Sequence, residues 1–340
     1  MYLGLHTAFD MGLTKSLRTE KGTQSGTSCN VEIRTECLTR IPAKPMLRNF
    51  QSAHLQIGKL LGSGGFGTVY EATYHGRRYA LKQWHKSTKN RRATEESREA
   101  EISTLHFRHP NIVRALRVLE LNGFHTLIME YGGEKNLQEL INCPNERLGN
   151  SRQVRFALDI SRGLAYAHRL GLAHLDVKPS NVLVSRQDHC KLADFGCCQS
   201  VGDNERPASP TKSSLTGTFA YRAPELLKGE CPSTKADIYS LGICLWQMLT
   251  RERPYGRENQ HVIIFAVVAY QHRPKIPNEE SLEGREKCYT ELIKNCWQAE
   301  SAQRPSAREL VKSLKNWEFC CEPTADLWSS DDFCIKSTFM

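Results

Sequence analysis

The chain has 340 residues with a formal net charge of +9 at pH 7, and 39% of its residues are hydrophobic, which is enough for one domain of two lobes that bury their own core. Lys and Arg are dispersed along the sequence and no zinc-finger or aromatic-interleaved pattern accompanies them, so the charge does not predict nucleic-acid binding. The thirteen cysteines form no CxxC pair, a pattern that argues against a disulfide scaffold and is typical of reduced thiols in a cytoplasmic protein.

The first 53 residues differ in kind from the rest of the chain. They are rich in Ser, Thr, Lys and Arg and show little apolar periodicity, so we predict a basic, mobile extension at 1–53. This stretch has no apolar run of 18 residues and no signal-peptide core. Val262–Tyr270, farther along, is apolar but too short to cross a membrane. We therefore predict no membrane partner.

Three predicted strands follow the extension, at His54–Leu60, Thr68–Thr73 and Arg78–Gln83. The residues at the first turn and beside it are Leu61, Gly62, Ser63, Gly64, Gly65, Phe66, Gly67, Thr68 and Val69. A GxGxxG pattern can also open the helix of a dinucleotide-binding unit, but here a strand follows the glycines. We therefore predict a hairpin flap whose glycine backbone approaches the phosphates of a nucleotide.

The third predicted strand carries Lys82, two residues after Ala80, with its side chain directed into the cleft. A lysine that holds the α- and β-phosphates needs a carboxylate partner. A predicted helix at Ala93–Arg108 offers Glu101, beside a buried stripe marked by Ile102 and Leu105, and Glu99 is the alternative. Either glutamate could instead be a solvated surface charge. Because Lys82 needs a carboxylate partner, Glu101 is the better candidate for that partner.

Two short segments in the second half of the chain are the most specific signal. His174–Asn181 reads HLDVKPSN, and Asp194–Gly196, thirteen residues after it, reads DFG. Single members could be ordinary turn or surface residues, but agreement at eight fixed positions, each at about one in twenty, is negligible by chance. The combination predicts transfer of a phosphoryl group from ATP.

This chemistry assigns a role to four side chains. Asp176 would accept the proton of the attacking hydroxyl, and Lys178 would lie beside the γ-phosphate. Asn181 and Asp194 would hold Mg²⁺, which neutralises the charge on the transferred phosphoryl group.

Later landmarks complete a pattern that resembles the protein kinases from about His54 to Trp317. The resemblance implies an α+β, bilobal fold: an antiparallel β-sheet lobe with one helix at 54–131 and a mainly helical lobe at 132–318, with a tail at 319–340. It further implies a buried ion pair between Glu225 and Arg304, and an Asp237 that braces the backbone of the catalytic loop. The nucleotide-binding residues implied by the resemblance are Leu61, Gly62, Ser63, Gly64, Gly65, Phe66, Gly67, Val69, Ala80, Lys82, Glu130 and Tyr131.

The residues around the acceptor hydroxyl indicate the class of kinase. Lys178, two places after Asp176, and Thr218 in the Gly217–Thr218 step resemble the pattern of serine/threonine kinases. Tyrosine kinases usually carry an Arg beside an Ala in the catalytic loop. Serine/threonine specificity is favoured, and dual specificity stays open.

Stretches that general kinase chemistry does not dictate are similar to the Mos family. These are Gly64–Gly67, Lys86–Arg91, Ile128–Gly133, His174–Asp176, Asp194–Cys197, Leu226–Glu230, Gln260–His261 and Ala266–Tyr270. The resemblance implies a MAP kinase kinase kinase that phosphorylates a MAP kinase kinase during oocyte meiotic maturation. We expect a monomer that binds ATP and Mg²⁺ and acts on protein substrates.

One position departs from the common kinase pattern. The residue before the catalytic Asp is usually an Arg that pairs with a phosphate on the activation segment, and here it is Leu175. The candidate phosphate acceptors in that segment are Ser209, Thr211, Ser213, Ser214 and Thr216. We predict activity without phosphorylation of this segment and control through protein abundance, unless another Arg or Lys substitutes.

Two alternatives stay open. A pseudokinase scaffold would bind partners without catalysis, although the sequence retains every charged residue that catalysis needs, namely Lys82, Glu101, Asp176 and Asp194, together with Asn181. The other alternative is a serine/threonine kinase of another pathway. Phosphorylation of a MAP kinase kinase by the purified protein would distinguish a kinase of the Mos type from a kinase of another pathway.

Overall fold

The computed structural model describes residues 54–86, 91–201, 219–277 and 279–319. The predicted extension at 1–53 and the tail after 319 lie outside these residues. So do all five candidate phosphate acceptors of the activation segment, together with Gly217 and Thr218.

A five-stranded antiparallel sheet forms the first lobe. Its strands, in the spatial order β1-β2-β3-β5-β4, are β1 Leu55–Ser63, β2 Gly67–Tyr74, β3 Arg77–Trp84, β4 Ala115–Leu121 and β5 Phe124–Glu130. The glycines lie at the tip of the β1–β2 hairpin, as predicted. Gly67 pairs with Trp84, and a Cβ at Gly67 would lie 2.5 Å from the carbonyl oxygen of Gln83. Only glycine allows this close pairing of β2 with β3.

Among the described residues, one helix accompanies the sheet, α1 at Arg91–Ser103. The prediction that it continues to Arg108 was wrong. After Ser103 the backbone makes i to i+3 bonds, from Thr104 N to Glu101 O at 3.1 Å and from Phe107 N to Thr104 O at 2.9 Å. These tight turns bring Phe107 into the core of the second lobe, where its side chain is 1% exposed.

The second lobe is mainly helical. Its helices are α2 Leu137–Asn142, α3 Asn150–Arg169, α4 Pro224–Leu227, α5 Thr234–Thr250, α6 Gln260–Ala269, α7 Gly284–Cys296 and α8 Ala307–Phe319. Short strands lie between α3 and α4: β7 Leu172–Ala173, β8 Val182–Val184, β9 Cys190–Leu192 and β10 Gln199–Ser200, while β6 Lys135–Asn136 precedes α2.

Helix α5 is the centre of this lobe. Every residue from Ala236 to Met248 is buried, which agrees with the predicted central helix that is apolar around most of its circumference. Gly242 lets α7 approach, because a Cβ there would lie 2.9 Å from Cβ of Cys296. Helix α7 therefore packs closely against α5.

Backbone bonds at the entrance of β4 join the two lobes. Val113 N donates to Leu192 O, and Leu192 N donates to Asn111 O, each at 2.8 Å. The Asn111 side chain donates to Cys190 O at 2.9 Å. A five-stranded antiparallel sheet with one helix, followed by a mainly helical part, confirms the predicted α+β bilobal kinase fold. In the part of the chain described, no helix has the length and apolar character that spanning a membrane requires.

Candidate active site

The loop His174–Asn181 lies between β7 and β8 and rests on the buried carboxylate of Asp237, in the first turn of α5. Asp237 accepts hydrogen bonds from the backbone N–H of His174 at 2.8 Å and of Leu175 at 2.7 Å. His168 Nε2 lies 2.7 Å from the same carboxylate. Leu175 has a φ of 62°, which is unfavourable for a branched side chain. Asp237 thus holds the loop in a conformation that it would not adopt alone.

Asp237 remains charged in this buried position. Burial would raise the pKa of its carboxyl, but the hydrogen bond and charge of His168, the charge of His174 and the backbone N–H of His174 hold it below its ordinary value. The position agrees with the predicted bracing of the catalytic loop.

Three predicted side chains meet within the loop. Lys178 Nζ lies 2.7 Å from Asp176 Oδ2, and Asn181 Nδ2 donates to the same oxygen and to the Asp176 carbonyl, each at 2.9 Å. Because the amide nitrogen of Asn181 makes both of these bonds, its carbonyl oxygen is the atom left to bind a cation. The second carboxylate oxygen of Asp176 is left for a substrate hydroxyl.

A buried histidine connects this loop to the DFG segment. His174 Nδ1 accepts from the backbone N–H of Asp176 at 3.2 Å, and Nε2 donates to the Ala193 carbonyl at 3.0 Å. The His174 ring also packs on Phe195, with centroids 4.6 Å apart. His174 therefore fixes Asp176, the predicted base, relative to Asp194, a function that sequence reasoning did not assign to it.

Asp194 follows β9 with a φ of 61°, and its carboxylate faces the cleft. Lys82 Nζ donates to Asp194 Oδ1 at 2.8 Å. Loss of hydrating water would raise the pKa of Asp194, but the Lys82 ammonium, through its charge and hydrogen bond, holds the pKa well below its ordinary value. Asp194 is therefore an anion throughout the neutral range, which is the form that its predicted role as a ligand of Mg²⁺ requires.

Lys82 also contacts Glu101 Oε1, and both side chains are buried, at 7% and 3% exposure. Glu99, the alternative partner, is exposed. Burial would lower the pKa of Lys82, but the charges of Asp194 and Glu101 raise it. The lysine therefore keeps its charge. Burial raises the pKa of Glu101 to about 7, with Lys82 opposing the shift.

The buried face of α1 is polar, which corrects the prediction of an apolar stripe. Ile102 and Leu105 are half-buried, whereas the buried residues of the helix are Ala93, Thr94, Ser97 and Glu101. This face points toward the DFG segment rather than toward a hydrophobic core. A Cβ at Gly196 would lie 2.4 Å from Ser97 Oγ and 2.9 Å from Glu101 Oε1. Glycine at 196 is therefore what lets α1 bring Glu101 to Lys82.

The residues predicted to bind the nucleotide lie in the flap, in β3 and at the end of β5. A Cβ at Gly62, Gly64 or Gly65 would have no atom within 4 Å, so the flap tip faces open space. The Glu130 side chain accepts from Lys191 Nζ at 2.7 Å, and the Tyr131 ring lies 3.9 Å below the Arg78 guanidinium. Because both side chains contact protein groups, the nucleotide contacts predicted for these two residues would involve their main chain.

The predicted ion pair below the cleft is present. Arg304 donates to Glu225 through two nitrogens, at 2.6 and 2.8 Å, and is 1% exposed. It also donates to the carbonyls of Gln298, Lys235 and Ala299. This arrangement is structural, because no atom of the pair lies in the cleft lined by the residues above.

Comparison with known proteins gives a consistent result. Residues 55–314 match the protein kinase domain family. A serine/threonine-protein kinase mos of Patiria pectinifera is 48% identical over 264 residues, covering 76% of this chain and 74% of that protein. The proto-oncogene serine/threonine-protein kinase mos of Mus musculus is 44% identical over 274 residues, and that of Sus scrofa is 42% identical over 277 residues; each match covers 75% of this chain and 78% of the relative.

Proposed function

Because the chain belongs to the protein kinase family and, within it, to the Mos serine/threonine kinases, we propose that it phosphorylates a MAP kinase kinase and so acts as a MAP kinase kinase kinase in oocyte meiotic maturation. As a serine/threonine protein kinase it transfers phosphate to hydroxyls of protein substrates. The similarity to Mos proteins is what supports the finer statement on pathway and substrate.

One geometric observation supports catalysis most strongly. Lys82 lies between Glu101 and Asp194, while Asp176, Lys178 and Asn181 form a second hydrogen-bonded group. His174 connects the two groups. A scaffold that had lost activity would have no need to hold so many charges at a cleft, where each costs desolvation energy.

The proposed steps follow from these contacts. The substrate hydroxyl oxygen bonds to the γ-phosphorus of ATP while the bond from that phosphorus to the bridging oxygen breaks, so that ADP leaves and Asp176 accepts the hydroxyl proton. The neighbouring Lys178 carries positive charge toward the transferred group. Lys82, held by Glu101, binds the phosphates that remain on the nucleotide.

Protein kinases use ATP with Mg²⁺, and the ion neutralises charge on the transferred phosphoryl group. The residues present fit that ion. The Asp194 carboxylate is ionised and faces the cleft, and the Asn181 carbonyl oxygen is left without a role in the loop. Oxygen ligands of this kind are those that Mg²⁺ prefers.

The proposal includes the organisation of the chain. We retain a basic extension at 1–53, a kinase domain at 54–318 and a tail at 319–340, in a cytoplasmic monomer. The match of residues 55–314 to the kinase family supports the limits of the domain. A serine/threonine kinase of another pathway remains the alternative for the substrate.

The test is a substrate comparison. Purified protein is incubated with Mg-ATP and either a catalytically inactive MAP kinase kinase or a generic basic protein substrate, and the phosphorylated sites are mapped by mass spectrometry. We expect the MAP kinase kinase to be phosphorylated on Ser or Thr at least ten times faster than the generic protein. Equal rates, or phosphate on the generic protein alone, would favour another pathway.

A further inference from the structure

Helix α3 carries arginines in both of its halves, and those in the first half are matched by an acidic group. Arg152 and Arg155 both pair with the Asp188 carboxylate. The second half, with Arg162 and Arg169, has less acid beside it. Positive charge therefore accumulates toward the end of α3.

One buried carboxylate faces the second half of the helix. Asp159 lies 3.4 Å from Arg162, but it also accepts from the backbone N–H of Cys190 at 3.0 Å. His189 Nδ1 lies 3.2 Å from the same carboxylate. Within the described part of the chain, Arg169 forms no ion pair. The charge of Asp159 is thus shared among several donors and leaves the surface positive.

Tyr166 joins these arginines to the turn that follows α1. Arg162, Tyr166 and Arg169 are at positions i, i+4 and i+7 of α3, so they lie on one face of the helix. The Arg169 guanidinium lies 5.5 Å from the centre of the Tyr166 ring. The Tyr166 hydroxyl accepts from the backbone N–H of Arg108 at 3.0 Å, and the His109 ring lies 5.1 Å from the Tyr166 ring. Two segments that are distant in sequence therefore meet at one side chain.

The guanidinium of Arg108 adds to the charge of this region. Its Nη1 donates to the carbonyls of Leu105 and Phe107, at 2.7 and 2.6 Å, which leaves Nε and Nη2 for an external acceptor. No carboxylate among the described residues pairs with it. Burial lowers the pKa of this guanidinium and the nearby charge of Arg114 lowers it further, with Tyr166 opposing both. Two neighbouring cations without a carboxylate partner favour the binding of an anion.

We call this surface the α3 basic patch and define it by Arg108, His109, Arg162, Tyr166 and Arg169. Burial lowers the pKa of the His109 imidazole, and the charges of Arg162 and Arg169 lower it further. The imidazole is therefore mainly neutral at pH 7, so the three arginines supply the charge of the patch.

We propose that the α3 basic patch binds an acidic segment of a protein partner, with Asp or Glu side chains as the bound groups. The planar fork of an arginine presents paired N–H groups that match the two oxygens of a carboxylate. Arg162 and Arg169 are about 10 Å apart along the helix, because each residue rises about 1.5 Å. The patch therefore suits several carboxylates spaced along a peptide better than one compact anion. The proposal is independent of which protein the kinase phosphorylates.

Nucleic acid is the other large anion that an arginine surface can hold. Single strands bind by stacking their bases on exposed aromatic rings. The Tyr166 ring already packs with Arg169, with His109 and, edge to face, with Phe107 at 5.4 Å between centroids. It therefore has little free face for a base. These contacts favour a peptide as the partner.

Equilibrium binding tests the proposal, with the full chain and a fluorescein-labelled octaglutamate peptide followed by fluorescence anisotropy. The patch variant is Arg162→Gln/Arg169→Gln, and Arg162→Lys/Arg169→Lys keeps the charge without the planar fork. The control is Arg257→Gln/Arg308→Gln, which removes the same charge at two exposed arginines outside the patch. Thermal midpoints and kcat on a generic protein substrate establish that each variant is folded.

We expect the wild type to bind the peptide, and the Gln variant of the patch to bind it at least about tenfold more weakly. The control should stay within about twofold of the wild type, because exposed charges outside the patch act through screened solvent. The Lys variant should fall between them. Raising the salt from about 50 to about 200 mM should weaken binding by the wild type.

Three results would overturn the proposal. The first is no binding of octaglutamate by the wild type at the lower salt concentration. The second is an equal loss in the patch variant and in the control, which would assign binding to the general surface charge. The third is binding of single-stranded octathymidylate or of a phosphoserine peptide at least about tenfold tighter than octaglutamate, with the same dependence on Arg162 and Arg169. That result would assign the patch to phosphate groups.

Discussion

At the scale of single residues, the distance between α1 and the DFG segment depends on the absence of one Cβ. Gly196 faces Ser97 Oγ and Glu101 Oε1, and the Lys82–Glu101 contact requires that α1 stay close. The glycine of a DFG tripeptide can be interpreted from sequence as a turn residue. Its φ is not in the left-handed region, so close packing is the reason for glycine here.

Gly196→Ala should therefore lower kcat at least a hundredfold, because the new methyl group pushes α1 away and separates Glu101 from Lys82. Steady-state kinetics measures the effect. Adding Ser97→Ala removes the nearest atom, 2.4 Å from the new Cβ, and should restore part of the rate. Gly149→Ala is the matched control, because a Cβ there meets nothing within 4 Å. Wild-type activity in Gly196→Ala would contradict this account.

Leu175 determines a second outcome at this scale. Its half-buried side chain packs on the core of the second lobe and offers no positive charge to a phosphate. We expect phosphatase-treated protein to keep at least half of its activity, measured as an initial rate after the phosphatase is removed. A loss of tenfold or more on that treatment would indicate that another Arg or Lys binds an activating phosphate.

At the scale of elements, α5 supports the catalytic loop through one carboxylate. Asp237 binds two backbone N–H groups and His168, so an Asn in its place would set its amide N–H₂ against one of these donors. Asp237→Asn should reduce the free energy of unfolding at pH 7 by about 3 kcal/mol. Urea unfolding measures it.

The pH dependence of the stability that Asp237 contributes follows from the direction in which folding shifts its pKa. The folded-state pKa of Asp237 lies below the ordinary value of 3.8. Its contribution to stability is therefore complete above that value and is lost as the pH falls through the lower, folded pKa. The difference in free energy of unfolding between wild type and Asp237→Asn should be constant above about pH 5 and shrink below about pH 4. A difference that grows with acid would contradict the assignment.

The sequence predicted where the helices and strands lie better than it predicted which of their faces are buried. Motif spacing predicted the glycine hairpin, the catalytic loop and the partner of Lys82, because the groups that carry out phosphoryl transfer follow a characteristic order along the chain. It did not predict that α1 ends at Ser103 or that its buried face carries Ser97. The tight turns after Ser103 depend on burying Phe107 against another lobe, a contact that hydrophobic periodicity does not record.

The exposed side of α6 could not be predicted for a related reason. An apolar run of this length is equally consistent with a buried helix. Only the packing of Ile263 and Val267 shows which side is covered. The structure brings several of the predicted site residues together, whereas the surfaces that join them to neighbouring elements could not be predicted from the sequence.

At the scale of the whole molecule, stability of the helical lobe depends on a buried ion pair far along the chain from the site. Arg304→Met leaves the Glu225 carboxylate buried without its partner and should reduce the free energy of unfolding by about 3 to 5 kcal/mol. Chemical denaturation measures the loss. At low temperature, the folded fraction should retain near wild-type kcat, since the pair lies outside the cleft.

The double variant Glu225→Gln/Arg304→Met is the control for this pair. It should be less destabilised than the sum of the single variants, because the uncompensated charge is gone. Strict additivity would show that the two side chains do not act together.

Lys82 of the sheet lobe donates to Asp194 of the helical lobe, and His174 connects Asp176 with the residue before Asp194. We propose that Asp176 is the catalytic base of this protein kinase. The most direct measurement is transfer of labelled γ-phosphate from ATP to the protein substrate by wild type and by Asp176→Asn, with ATP affinity measured for both. We predict a loss of at least a thousandfold in the variant with ATP affinity within about threefold, because the substitution removes proton acceptance and leaves the Lys82–Glu101 contact in place. Transfer by Asp176→Asn at a rate close to that of the wild type would contradict the account.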